Sequence, residues 1–193
     1  MGAALARLWA EAGHTIRLSY SRDARRLEAI AEEIGSNVQA TSPADAVKAA
    51  DAVLLATHWD RVDDVLARAG AAEGVLDGVT LLDCTTPMSS DDVNLAVGLT
   101  TSGAEEVARR APRAHLVKVF NTVPAELLRA PSRAFQLNGI IATPSMFLCG
   151  DHDGAKAQAM RLARDAGFAP VDVGPLTCAR YLEPLALLVA QLA

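Results

Sequence analysis

Residues 1–22, MGAALARLWAEAGHTIRLSYSR, set the pattern on which the rest of the chain is read. Leu5, Leu8, Trp9 and Ala12 recur at i, i+3, i+4 and i+7, one apolar face of a helix, and Gly13 stands where such a helix would stop. Thr15 to Tyr20 then alternates Ile16 and Leu18 with polar neighbours, a period of two that predicts a strand. Ser21 opens a charged helix to about Ile34, closed by Gly35. The stretch therefore reads helix, strand, helix, joined by short turns.

The alternation persists outward. Residues 37–40 predict a short strand, Pro43 opens a helix, and residues 52–56 form a continuous apolar run suited to a strand covered on both faces. A helix at 62–69, a strand at 79–83, a helix around 104–110 and a strand at 115–120 follow. Residues 129–144 contain Pro131, Asn138, Gly139 and Pro144 and predict a surface excursion. Beyond it come a strand at 145–149, a helix at 154–166, a strand at 169–173 and a final helix at 179–193. Strands alternating with helices require right-handed crossovers. The expected fold class is α/β, a doubly wound, mostly parallel sheet in a single domain over residues 1–193.

Composition narrows the function classes. In 193 residues apolar types make up 51% and aromatics 4%, so the interior must be built from Ala, Leu and Val. A net charge of −5 provides no basic face for nucleic acid or a membrane surface, so any phosphate recognition is local. Cys84, Cys149 and Cys178 are odd in number and lack metal-ligand spacing, which points to reduced thiols, a cytoplasmic location and no metal centre. The opening helix carries Arg7 and Glu11 without a basic flank or cleavage site, unlike a secretion signal, and no apolar run is long enough to span a bilayer.

Phosphate chemistry enters at two junctions. A dinucleotide site of the Rossmann type needs a strand, a G-x-G-x-x-G turn and a helix whose first amides face the pyrophosphate. Met1-Gly2-Ala3-Ala4-Leu5-Ala6 matches only the last glycine and the helix, with small residues at Gly2 and Ala3, so the first strand is apparently absent. Either an apolar strand and a G-x-G turn are encoded upstream of Met1, or this form binds the dinucleotide poorly. At the second junction the strand ends Ser19-Tyr20-Ser21-Arg22, where an acidic residue would mark NAD. Arg22, Arg25 and Arg26 crowd the start of a helix, where the macrodipole disfavours cations, and a 2′-phosphate would explain them. A solvated face balanced by Asp23 and Glu28 is the alternative. Asp151, His152 and Asp153 read as a polar turn capping the following helix rather than a cation cage.

Further motifs stand in a recognisable order: Ala12-Gly13-His14, Ser21-Arg22, Ala56-Thr57-His58-Trp59, Asp83-Cys84-Thr85-Thr86-Pro87, Ser102-Gly103-Ala104-Glu105-Glu106, Val117-Lys118-Val119-Phe120-Asn121-Thr122-Val123-Pro124-Ala125, Cys149-Gly150-Asp151 and Ala179-Arg180-Tyr181-Leu182-Glu183-Pro184-Leu185. Together they resemble the NADP-dependent reductases that use the deazaflavin coenzyme F420. The resemblance implies an NADP oxidoreductase that exchanges a hydride with F420 or a flavin-like acceptor. It places the 2′-phosphate at Ser21, Arg22 and Arg26, lines the nicotinamide end with Ala56, Thr57, His58 and Trp59, and sets Asn121 and Thr122 on the floor of the cleft. His58 stands where the family usually has proline and carries no catalytic assignment. Direct hydride transfer requires no proton relay, so no catalytic residue is assigned. Two other readings stay open: a non-catalytic NADP-binding or scaffold protein, and an NADPH-dependent reductase of a metal or small carbonyl compound. The apolar final helix predicts a homodimer through Leu185, Leu188, Val189 and Leu192.

Overall fold

The computed structural model describes residues 1–21, 23–48, 50–91, 93–129, 136–137, 140–141 and 143–192. Helix α1 (Gly2–Glu11) buries Leu5, Ala6 and Trp9, as its spacing requires, and ends at Gly13 with a φ of 93°. Strand β1 (Ile16–Leu18) leads to α2 (Ala24–Ile34), which begins later than Ser21 because Asp23 is its N-cap. The Asp23 carboxylate accepts the backbone amides of Arg25 at 3.0 Å and Arg26 at 3.4 Å. There follow β2 (Val38–Ala40), α3 (Pro43–Val47), β3 (Ala52–Leu55), α4 (Val62–Arg68), β4 (Thr80–Asp83), α5 (Gly103–Arg110) and β5 (His115–Val119). A short α6 (Ala125–Arg129) follows, and of the segment 129–144 expected to be a surface excursion the structure describes chiefly an antiparallel pair, β6 (Gln136–Leu137) with β7 (Ile140–Ile141), while Pro131, Asn138 and Gly139 lie outside the described residues. The chain continues through β8 (Ser145–Gly150), α7 (Asp153–Asp165), β9 (Ala169–Asp172) and α8 (Ala179–Leu192).

Five strands form one sheet in the order β3-β4-β5-β8-β9, and β1 pairs with β2 in a separate parallel pair. Pairs β3-β4, β4-β5 and β8-β9 are parallel, but β8 runs antiparallel to β5, with Val117 opposite Gly150. Strand β8 is the antiparallel exception within the mostly parallel sheet expected from the alternation. Alternation in Met146, Phe147 and Leu148 reads the same in either direction, so periodicity could not reveal the reversal.

Both faces of the sheet are covered. Leu82, Val117 and Val119 meet α1 and α7 on one side, where Ala155, Ala159 and Ala163 let α7 lie close. Leu81 and Leu116 meet Val62, Leu66, Val107 and Leu182 on the other. Neighbouring residues of each strand thus feed opposite cores, as the pleat demands. Trp9, Phe120 and Phe168 pack edge to face, with ring centroids 5.8 Å and 6.3 Å apart, and the Trp9 indole donates to the Leu162 carbonyl at 2.8 Å. Among the described residues β1 and β3 do not pair, and packing joins the two parts: Ile16 and Leu54 both pack against the cluster of Leu5 and Trp9. No helix of the described residues is long and apolar enough to cross a membrane.

Candidate functional site

Helix α1 begins beside the end of β3, where a Cβ added to Gly2 would lie 3.3 Å from the Ala56 Cβ. Only a residue without a side chain allows that approach without displacement. The Tyr20 hydroxyl donates to Asp64 at 2.6 Å and ties the turn after β1 to the first turn of α4, which follows β3. The carboxyl ends of β1, β3, β4 and β5 therefore share one edge with the start of α1. Met1 makes no side-chain cap, and the amides of Gly2 and Ala3 precede the first intrahelical bond.

Among the described residues, three buried polar atoms on this edge have no hydrogen-bond partner: Ser19 Oγ after β1, Thr57 Oγ1 after β3 and Asn121 Oδ1 after β5. Buried polar groups are nearly always satisfied, so these orphans are free to bond a water or a polar ligand. The backbone at the edge is also strained. Tyr20 and Phe120, immediately past β1 and β5, adopt φ values of 63° and 67°, a left-handed conformation that costs side-chain-bearing residues roughly 1–3 kcal/mol. The fully buried Phe120 ring, gripped between Trp9 and Phe168, fixes the turn that presents Asn121.

The remaining residues singled out by sequence fall around this edge. His58 is exposed and precedes a 3-10 turn at Trp59–Arg61 without capping it through its side chain. Trp59 packs toward α5, with the Arg110 guanidinium 5.8 Å from its ring centre. Ser21 Oγ accepts the Asp23 amide at 3.1 Å. Arg22 lies outside the described residues. Arg25 and Arg26 are exposed, and among the described residues no ion pair engages either guanidinium. The Asp23 carboxylate serves their backbone amides as the cap of α2. His152 Nδ1 accepts the Ala155 amide at 3.2 Å and caps α7, and Asp151 accepts the distant Leu176 amide at 2.8 Å.

Sequence reasoning missed a fully buried polar cluster around Lys118. Asp83 and Lys118 are register partners on β4 and β5, and the ammonium meets Asp83 and Glu183 at 2.9 Å each and also donates to the Thr85 carbonyl. Glu183 reaches from α8 to accept the amides of Gly103 at 2.7 Å and Ala104 at 2.9 Å, the open start of α5. Burial pulls the Lys118 pKa down, but the Asp83 and Glu183 charges outweigh it and hold the value above that of an ordinary lysine. Asp83 also accepts the Thr85 amide and hydroxyl at 2.9 Å and 2.7 Å. The signal available in sequence was an acid and a base at the aligned ends of adjacent strands. Burial pushes the Cys84 and Cys149 thiols up to about 12, which makes both inert as nucleophiles.

Beside this cluster a cavity of about 300 Å³ opens between Met1, Thr86, Met88, Asn121, Thr122 and Val189. A wider hollow of about 520 Å³ lies along β2 and α2, away from the edge, with Glu28 and Glu32 on its rim.

Comparison with known proteins was made against this geometry. Residues 1–87 match the family described as NADP oxidoreductase, coenzyme F420-dependent. Metalloreductase STEAP3 of Rattus norvegicus is 28% identical over 152 residues, 79% of this chain and 28% of that protein. Metalloreductase STEAP2 of Homo sapiens is 36% identical over 86 residues, 45% of this chain and 16% of that protein. The chain thus spans under a third of the curated relatives it matches. A solved structure from Arthrobacter sp. FB24, provisionally described as an F420-dependent NADP-reductase, superposes with a TM-score of 0.84 at 28% identity, covering 99% of this chain and 88% of its own. A hypothetical protein from Sinorhizobium meliloti gives 0.76 at 28% identity, covering 92% and 82%. An imine reductase from Streptomyces aurantiacus, at 19% identity and a TM-score of 0.64, covers 98% of this chain and 58% of its own and shares the fold. The α/β fold and the family resemblance read from sequence are both borne out.

Proposed function

From a chain that carries the signature of the F420-dependent NADP oxidoreductases, we infer an enzyme that moves a hydride between NADP(H) and a deazaflavin or flavin-like acceptor. The observation that carries the reading is the set of unpartnered polar atoms, Ser19 Oγ, Thr57 Oγ1 and Asn121 Oδ1, along the edge where α1 begins. These residues fit a dinucleotide. The free amides of Gly2 and Ala3 suit a pyrophosphate, Ser21 with Arg22 and Arg26 suits a 2′-phosphate, and Ala56, Thr57, His58 and Trp59 lie toward the nicotinamide end, with Asn121 and Thr122 beneath it.

When bound, NADPH supplies the hydride, two electrons and a proton, and leaves as NADP⁺ while the acceptor is reduced. The protein's part is alignment and exclusion of water. The strained turns at Tyr20 and Phe120 hold the strand ends, and the buried Lys118 cluster fixes the loop from Asp83 to Thr86. Chemistry of this kind needs no general acid within the site, which accords with the inert thiols. The reading places the enzyme in the cytoplasm as a homodimer through α8, where Leu188 is 58% and Leu192 80% exposed while Leu185 and Val189 are half-buried.

Purified protein given NADPH and either F420 or a free flavin is expected to lose nicotinamide absorbance as the acceptor is reduced. Absence of turnover with every such acceptor overturns the enzymatic reading. If NADPH then still raises the melting temperature, the chain is a binding protein. Light scattering at micromolar concentration tests the dimer, and a monomer overturns it.

A further inference from the structure

We propose that Asn121 selects the hydride acceptor by accepting a ring N–H from its pyrimidinedione edge, an inference that rests on the hydride-transfer reading above. Asn121 is 7% exposed, and its Nδ2 donates to the Leu182 carbonyl at 3.0 Å while Oδ1 has no partner among the described residues. That bond fixes the amide's orientation, because turning it over would set two oxygens against each other. The left-handed turn at Phe120 fixes the backbone behind it. Asn121 lines the cavity of about 300 Å³, so what the site offers there is a rigid, unpaired hydrogen-bond acceptor.

The surroundings specify the donor further. Thr86 and Thr122 line the same cavity with hydroxyls that can donate, and Met88, Ala186 and Val189 supply apolar walls. An acceptor flanked by donors, set in an apolar slot, complements a flat ring whose N–H lies between carbonyls. An imide edge has that pattern. A ring that offers only carbonyls at this position would leave Asn121 Oδ1 buried and unpaired, and a site built to bond an N–H discriminates strongly against analogues without one.

The probes are lumiflavin and 3-methyllumiflavin, which differ by a methyl group in place of the imide proton. Each is titrated by flavin fluorescence into the full chain saturated with NADP⁺. The expected result is about tenfold weaker binding of the methylated ring by the unaltered protein, and binding of the two within about twofold by Asn121→Leu. Thermal melting reports whether Asn121→Leu is folded, and the comparison of probes on the unaltered protein stands without it. Equal binding of the two flavins overturns the proposal. So does a response confined to the cofactor, in which Asn121→Leu weakens NADP⁺ but not its 3-acetylpyridine analogue, since Asn121 would then serve the nicotinamide carboxamide. If lumiflavin is reduced by NADPH but bound no better than its methylated form, Asn121 loses this role while the hydride-transfer reading survives. If no flavin or deazaflavin is either bound or reduced, both fall.

Discussion

The turn after β1 and the loops after β4 and β5 lie on one edge of the sheet, yet opposite means hold them. Residues 19–21 and 23 rest on a pair of short strands, a solvated tyrosine–aspartate bond and an exposed helix cap. Residues 83–86 and 120–122 are locked by a lysine with no exposure, two carboxylates and edge-to-face aromatic packing. The contrast separates two tasks. A segment that reads a charged end group works through solvated side chains and can vary, whereas a segment that sets ring geometry must not move.

The sharpest way to break this contrast is Lys118→Met. It leaves Asp83 and Glu183 buried without a counter-charge and is expected to cost about 3–5 kcal/mol, measured by urea unfolding. A loss under about 1 kcal/mol would show that the cluster does not lock the edge. Next in size, replacing Arg25 and Arg26 by alanine is expected to weaken NADPH binding about tenfold and leave NADH binding unchanged, with thermal stability unaltered. Equal loss for both dinucleotides would place the 2′-phosphate elsewhere.

Titration sharpens the same comparison. Because the folded-state pKa of Lys118 is raised, its contribution is fully present below the ordinary lysine value of 10.5 and is lost only as pH rises through the higher folded value. Unfolding free energy of the unaltered protein should therefore fall above that pH relative to Lys118→Met. Glu105 behaves in the opposite sense: Arg180, at 2.6 Å, holds its pKa below 4.5, so its contribution is present above that value and lost as pH falls through the lower one. Arg180→Ala should lessen the acid-side loss of stability. The smallest effect is expected for Tyr20→Phe, which removes a solvated bond to Asp64 and should shift the melting temperature by under about 2 °C. A larger shift would mean the turn after β1 is locked after all.

How much of this was legible depended on the range over which residues interact. The helix face of Leu5 and Trp9, the alternation at Ile16 and Leu18 and the stop at Gly13 are local, and each marked an element the structure contains. The start of α2 slipped because Ser21 and Asp23 are both good caps, and only geometry decides which amides each can reach. The direction of β8 was hidden because alternation has no polarity. The Lys118 cluster was hidden because Glu183 lies far along the chain from both its partners. Of the site residues, Asn121 and Thr122 meet in one cavity, whereas Trp59 turns toward Arg110. That division reflects packing against α5, which no residue near Trp59 announces.

The capping of α5 by Glu183 has a consequence for how the molecule is made. The Gly103 amide waits on a carboxylate 80 residues further along. A ribosome delivers the four strands of the nucleotide edge well before it delivers that glutamate, and a nascent chain with Asp83 and Lys118 in place still lacks the second carboxylate on Lys118 and leaves the Gly103 and Ala104 amides unbonded, with Ser102 alone capping α5. The edge can settle only once the helix that carries Glu183 has emerged, so assembly of the sheet alone does not finish the site.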